Sequence, residues 1–146
     1  MNGQWKDIVE LPFNNDAYSV GHPSLSADEK TLYFASDMPN GFGGTDIYKV
    51  EILGDNVYGA PVNLGERINT SQDESFPFVT EYNVLYFSSN GHLGFGLMDI
   101  FKADLGKMTI KVENLGEPVN SNMDDFAYFQ RDEINTGYFA SNRDNG

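Results

Sequence analysis

Apolar and polar residues alternate along this chain in short runs, and the runs are bounded by Gly, Pro, Asn and Asp. Thr31-Leu32-Tyr33-Phe34-Ala35-Ser36 and Val84-Leu85-Tyr86-Phe87-Ser88-Ser89 show the pattern, with β-branched and aromatic residues concentrated inside each run. A period of two places neighbouring side chains on opposite faces of a strand, whereas an amphipathic helix needs apolar residues every three or four positions. No window satisfies the helical pattern, so the chain is expected to be all-β. Strands are predicted at about 22–26, 31–36, 46–52 and 56–62, then at about 75–80, 84–89, 98–104 and 108–114, and last near 125–130 and 136–141.

These strands belong to a repeat. The Tyr-Phe pair at Tyr33 returns at Tyr86 and Tyr138, 53 and 52 residues further on. Gly43-Gly44-Thr45-Asp46-Ile47-Tyr48-Lys49 returns as Gly96-Leu97-Met98-Asp99-Ile100-Phe101-Lys102, and His22-Pro23-Ser24-Leu25-Ser26 matches Phe76-Pro77-Phe78-Val79-Thr80. Pro61-Val62-Asn63-Leu64-Gly65 is echoed by Glu117-Pro118-Val119-Asn120. A period of about fifty residues made of four short antiparallel strands is the signature of a β-propeller blade. The units run over about 14–66, 67–119 and 120–146, the third with its first two strands only, and residues 1–13 stand where the last strand of a preceding blade would fall. The expected fold is therefore two whole blades with partial blades at both ends, an incomplete ring in one chain. Unpaired edges in such an arrangement are covered either by more of a longer protein or by self-association of copies.

The residues that carry the repeat, Pro23 to Ser36 and Gly43 to Tyr48, resemble the TolB-like, WD40-like PD40 propeller repeat, and the likeness covers nearly the whole chain. It is closest to the version found in bacterial envelope proteins, especially of Bacteroidetes, which often also carry an OmpA-like peptidoglycan-binding domain. The resemblance implies a periplasmic or outer-membrane-associated interaction module. Three positions depart from the family pattern: Glu29 stands where Gly is usual, Tyr82-Asn83 replaces an Asp-Gly turn, and Tyr128 replaces Pro in the third copy.

Charge narrows the partners. Nine Lys and Arg against 22 Asp and Glu give a net charge of −13 over 146 residues, which repels phosphate backbones and anionic lipid head groups. Nucleic acid is excluded as a partner on this ground, and direct membrane insertion is not expected, since no run approaches the roughly 18 apolar residues a spanning helix needs. The first residues lack the basic and apolar regions of a signal peptide, so an export address would lie outside this sequence. With no cysteine, disulfides, thiolate nucleophiles and Cys-zinc sites are all out of reach.

Candidate chemistry is sparse. Asp46 and Asp99 each follow a glycine-rich loop and enter a strand, where a carboxylate ordinarily accepts backbone N–H groups and fixes the turn. The loops Asn40–Gly44 and Gly91–Gly96 lack the spacing and the following helix of a phosphate cradle, and read as tight connections. Asn120-x-Asn122-x-Asp124 begins like a calcium loop, but Asp125 replaces its glycine and Arg131 its final Glu. His22 is expected to pack or cap and His92 to be an exposed loop residue; neither has a local zinc or triad partner. No catalytic residue, metal or cofactor is assigned.

Alternating strand direction sends the connections entering each first strand and the loops between second and third strands to one end of the sheets. That end collects Asp37, Phe42, Asp73, Glu74, His92, Phe95, Asp124 and Asp125, a mixture of acids and aromatics on long loops. The expected function is noncatalytic binding of a cationic or amphipathic protein partner, with aromatics supplying area and acids steering the encounter. The alternatives are a propeller domain of a peptidase or glycosidase, and a carbohydrate-binding propeller.

Overall fold

The structure, a computed structural model, describes residues 8–131 and 136–144. Among them are eleven strands and no helix. The first sheet holds β1 (Val20–Leu25), β2 (Thr31–Ser36), β3 (Asp46–Gly54), β4 (Val57–Tyr58) and β5 (Val62–Asn63), with β4 and β5 both paired to β3. The second holds β6 (Glu74–Val79), β7 (Val84–Ser89), β8 (Asp99–Asp104) and β9 (Val112–Asn114) in that order. The third is β10 (Asp125–Arg131) paired with β11 (Thr136–Ser141). Every pairing is antiparallel. The three Tyr-Phe stretches are the second strands of successive sheets, and they stand in one register: Ser36 faces Asp46 as Ser89 faces Asp99.

Two predicted strands are shorter than expected. The outer strand near 56–62 is split into β4 and β5 around Pro61, which has no N–H to give to a ladder. The outer strand near 108–114 is reduced to β9. Trp5 to Asp7 of the proposed preceding strand lie outside the described residues, and 8–11 carry no strand.

Alternation decides which layer each side chain joins. Leu32 and Phe34 on β2 meet Phe13, Tyr48 and Val50 on one face of the first sheet, while Tyr33 and Ala35 point the other way. There they join Ile47, Ile68, Val79, Leu85, Phe87 and Phe101 in the core between the first and second sheets. The rule repeats one sheet later: Phe87 turns back to that core, and Tyr86 faces forward to stack on Tyr128 of the third sheet at 4.6 Å. In β2 and β7 a central strand buried on both faces is why the Tyr-Phe run is so largely apolar.

Each first strand carries a bulge at the same place, two residues opposing one between Gly21 and Ser24, Ser75 and Phe78, and Phe126 and Phe129. Its first residue takes positive φ: His22 at 52°, Phe76 at 53°, Ala127 at 54°. None is glycine, and the left-handed region costs an L-residue about 1–2 kcal/mol. The bulge re-aims the side chains, so that the His22 and Phe76 rings stack with centroids 3.8 Å apart and Phe76 meets Phe126 at 5.3 Å.

The turns between first and second strands place Glu29 at φ 57° and Asn83 at φ 59°. Asn tolerates this conformation; Glu does not. Glu29→Gly is therefore expected to raise the unfolding free energy by about 0.5–1 kcal/mol, relief of strain outweighing the greater chain entropy of glycine. Urea unfolding checks this, and a loss of stability would contradict it.

Candidate interaction face

The loops 37–45 and 90–98 sit against the connections that lead into β6 and β10. Gly44 N donates to Gln72 O at 2.7 Å and Thr45 N to Asp73 Oδ1 at 3.0 Å. One unit later Met98 N donates to Asp124 Oδ1 at 3.2 Å and Asp125 N to Met98 O at 2.7 Å. The loop of one sheet is thus pinned to the entrance of the next. Glycine is required at this approach: a Cβ on Gly43 would lie 2.0 Å from Gln72 O, and one on Gly96 2.1 Å from Met123 O.

Inside each loop the strand-entry carboxylate gathers donors. Asp46 accepts from Phe42 N at 2.6 Å, Gly43 N at 3.2 Å and Asn63 Nδ2 at 2.8 Å. Asp99 takes the same contacts from Phe95 N, Gly96 N and Asn114 Nδ2. Both carboxylates are turn-fixing groups.

A second buried amide holds each connection. Asn69 Oδ1 accepts from Ile47 N at 2.8 Å, while its Nδ2 donates to Ile47 O at 3.0 Å and Asn63 Oδ1 at 2.8 Å. Asn120 repeats this with Ile100 and Asn114. Asn120 is therefore occupied by the backbone, and the calcium-like spacing around it does not bring free oxygens together. Among the described residues no group of three His, Asp or Glu converges on a common point.

The predicted site residues divide sharply. Glu74 is buried and accepts from Thr70 N, Thr70 Oγ1 and Ser89 Oγ at 2.6–2.8 Å. Asp125, also buried, accepts from Ser121 N at 2.6 Å, Ser121 Oγ at 2.8 Å and the Arg143 guanidinium at 2.5 Å. Burial pushes the Asp125 carboxyl upward, but hydrogen bonds from Ser141, Arg143 and Ser121 overcome it and hold the group below its ordinary value. These two acids are interior clamps, a correction to their expected place on the surface. His92 is corrected likewise: its ring lies 5.2 Å from Phe101 and 5.7 Å from Phe87, and Nε2 is 2.8 Å from Ile68 O. A carbonyl only accepts, so Nε2 carries the proton and the ring wedges the loop. Asp73 and Asp124 are partly exposed, each sharing its carboxylate with a backbone N–H of the preceding loop and with Asn90 or Asn142. Asp37 is exposed and accepts from Ser19 N at 2.6 Å.

Phe42 and Phe95 remain half exposed. Beside Phe95 the loop also offers Leu93, 96% exposed, and Leu97, 73% exposed, with Met123 open on the adjoining connection. These aliphatic residues went unnamed among the candidates. Their signal was present, because they are apolar residues in a glycine-rich loop that belongs to no alternating run.

Compared with known protein families the chain matches no family model, and no curated protein is similar to it.

Proposed function

We propose that the successive sheets are propeller blades, the third represented by its first two strands, and that the chain is a noncatalytic protein-interaction module binding through the loop-bearing end of the blades. The propeller reading is supported by the side-by-side packing of the first strands, where His22 stacks on Phe76, Phe76 meets Phe126 and Phe78 meets Phe129 at 4.9 Å. In a propeller the first strand of each blade is innermost, and neighbouring first strands meet around the axis. The observation that carries the binding reading is the exposure of Leu93, Phe95 and Leu97 on a loop held rigid by Asp99, Ser89 and Asp124. Apolar side chains held in water on a fixed backbone lose little entropy on meeting a partner. The acids Asp37, Asp73 and Asp124 on the same end favour a cationic, amphipathic partner. A setting in the bacterial cell envelope, periplasmic or outer-membrane-associated, follows from the family resemblance.

A peptide-display selection on the intact chain tests this. Basic amphipathic peptides should be enriched, and the Leu93→Ser/Phe95→Ser variant should bind them about tenfold or more weakly. Enrichment without charge bias, or binding indifferent to both substitutions, would reject the reading.

A further inference from the structure

The third strand of each complete sheet carries a lysine at the same step of the repeat, and its cross-strand neighbour is the Tyr of the Tyr-Phe run: Lys49 pairs with Tyr33 and Lys102 with Tyr86. Residues directly opposite on paired strands project from one face, so each sheet presents a hydroxyl and an ammonium side by side toward the next unit. In the second sheet both groups are satisfied. Tyr86 Oη donates to Gln130 Oε1 of the third sheet at 3.3 Å, and Lys102 Nζ lies 3.7 Å from Glu113 Oε2, on the residue opposite it in β9. In the first sheet the matching positions are apolar. Val79 stands where Gln130 does, and Val62 on β5 stands opposite Lys49 as Glu113 stands opposite Lys102. Among the described residues neither the Tyr33 hydroxyl nor the Lys49 ammonium meets a hydrogen-bond partner or counter-ion in the protein.

Both groups line a cavity between the first two sheets. It measures about 450 Å³, within the range of small-molecule sites. Val62, Leu64, Ile68, Leu105 and Ile110 supply its apolar lining, and Asn83 adds an amide from the second unit. Among the described residues no carboxylate lines it, in a chain that carries 22 Asp and Glu. Tyr33 is 7% exposed, and a polar group so deeply placed ordinarily has a partner. Burial, with a smaller push from the charge of Asp28, raises the Tyr33 hydroxyl above its ordinary value, so at neutral pH it keeps its proton and donates. The lining comes entirely from the first two sheets and the segments attached to them.

We propose that this cavity binds a small aliphatic carboxylate. Its carboxylate accepts from Lys49 Nζ and the Tyr33 hydroxyl, and its hydrocarbon body covers Val62, Leu64, Leu105 and Ile110, of which Val62 is 52% exposed in the free chain. Lys49 selects the charge, because a neutral or cationic amphiphile offers no anion for a charge-assisted hydrogen bond. The apolar lining selects the body, since an inorganic anion would leave those side chains in water. None of the residues assigned to protein recognition at the loop-bearing end takes part, so each reading can fail alone.

Octanoate is the probe, titrated into the intact chain while the methyl resonances of Leu64, Ile68, Leu105 and Ile110 are followed by NMR. Saturable shifts centred on these methyls are expected, with a Kd on the order of 1 mM for a ligand of this size. Lys49→Met keeps the stem and Tyr33→Phe keeps the ring, and each should weaken binding about tenfold, the worth of one charge-assisted hydrogen bond. Val62→Glu gives Lys49 the counter-charge that Lys102 already has, and should abolish binding. Lys102→Met, in the second gap, should leave it unchanged. Octanol and octylammonium should bind at least about tenfold more weakly than octanoate. Lys49 and Val62 are exposed, so their variants decide the matter even if Tyr33→Phe disturbs the core. Equal binding of the three amphiphiles, indifference to Lys49→Met and Val62→Glu, shifts at Leu93 and Leu97 in place of the cavity methyls, or no saturation by about 20 mM overturns the proposal.

Discussion

Replacing Asn69 by alanine is expected to lower the unfolding free energy by about 3 kcal/mol, since it strips the partners from Ile47 N and Ile47 O in a dry interior and leaves a cavity. Asn69 is 2% exposed, so water cannot replace the lost amide without opening the connection between the sheets. Asn69→Asp should be no better. A carboxylate there keeps the acceptor for Ile47 N but sets oxygen against Ile47 O and Asn63 Oδ1, and it places a charge where none is balanced. The matching change at Asn120 should act alike on Ile100, because the contacts are the same. Urea midpoints at constant slope give the measurement. A loss below about 1 kcal/mol for both alanine variants would mean that the amides are not what joins successive sheets.

The second large effect is expected at Arg143. Its guanidinium holds Asp125 and also donates to Pro118 O at 3.0 Å and Val119 O at 2.6 Å, while it lies over the Phe139 ring at 5.3 Å. Arg143→Met keeps much of the side-chain volume and leaves a buried carboxylate without its counter-charge, a loss of about 3 kcal/mol at neutral pH. The pH dependence gives a sharper signature. In the native chain the folded Asp125 binds its proton less readily than the unfolded one, so its stabilisation is complete above the ordinary carboxylate value of 3.8 and is lost as pH falls through the lower folded value. Without Arg143 less opposes the upward push of burial, the hydrogen bonds from Ser141 and Ser121 remaining, and the folded value rises relative to the native chain. Acid unfolding of the variant should then begin at higher pH than in the native chain. An unchanged acid midpoint, with Asp125→Asn as destabilising in the variant as in the native protein, would show that the two groups are not coupled.

His92 and Arg143 do related work from different chemistry. Each leaves the loop after a second strand and reaches the carbonyl at the matching place in the connection, Ile68 O for His92 and Val119 O for Arg143. The sequence conceals the equivalence, because the residues differ in type and in offset from Ser89 and Ser141. The glycines hide their role in a similar way. Gly43 and Gly96 recur at the repeat period, but the reason is a backbone carbonyl arriving from another unit.

The placement of most strands and the fifty-residue step were readable along the chain because they depend on local rules, a side-chain period of two, β-branched and aromatic content and turn residues at fixed offsets, whereas the splitting of one outer strand into β4 and β5 was not. The carboxylates of Asp46 and Asp99 were also legible as turn groups, since their donors lie three or four residues away. What lay beyond reach depends on a second sheet. In the pairs Asp73-Glu74 and Asp124-Asp125 alternation says only that the two side chains point oppositely. Which one is dry is decided by the Ser89 and Arg143 side chains that arrive 15 and 18 residues later. The left-handed bulges at His22, Phe76 and Ala127 have no glycine to announce them, and they persist because packing between first strands overrides the local preference of each residue.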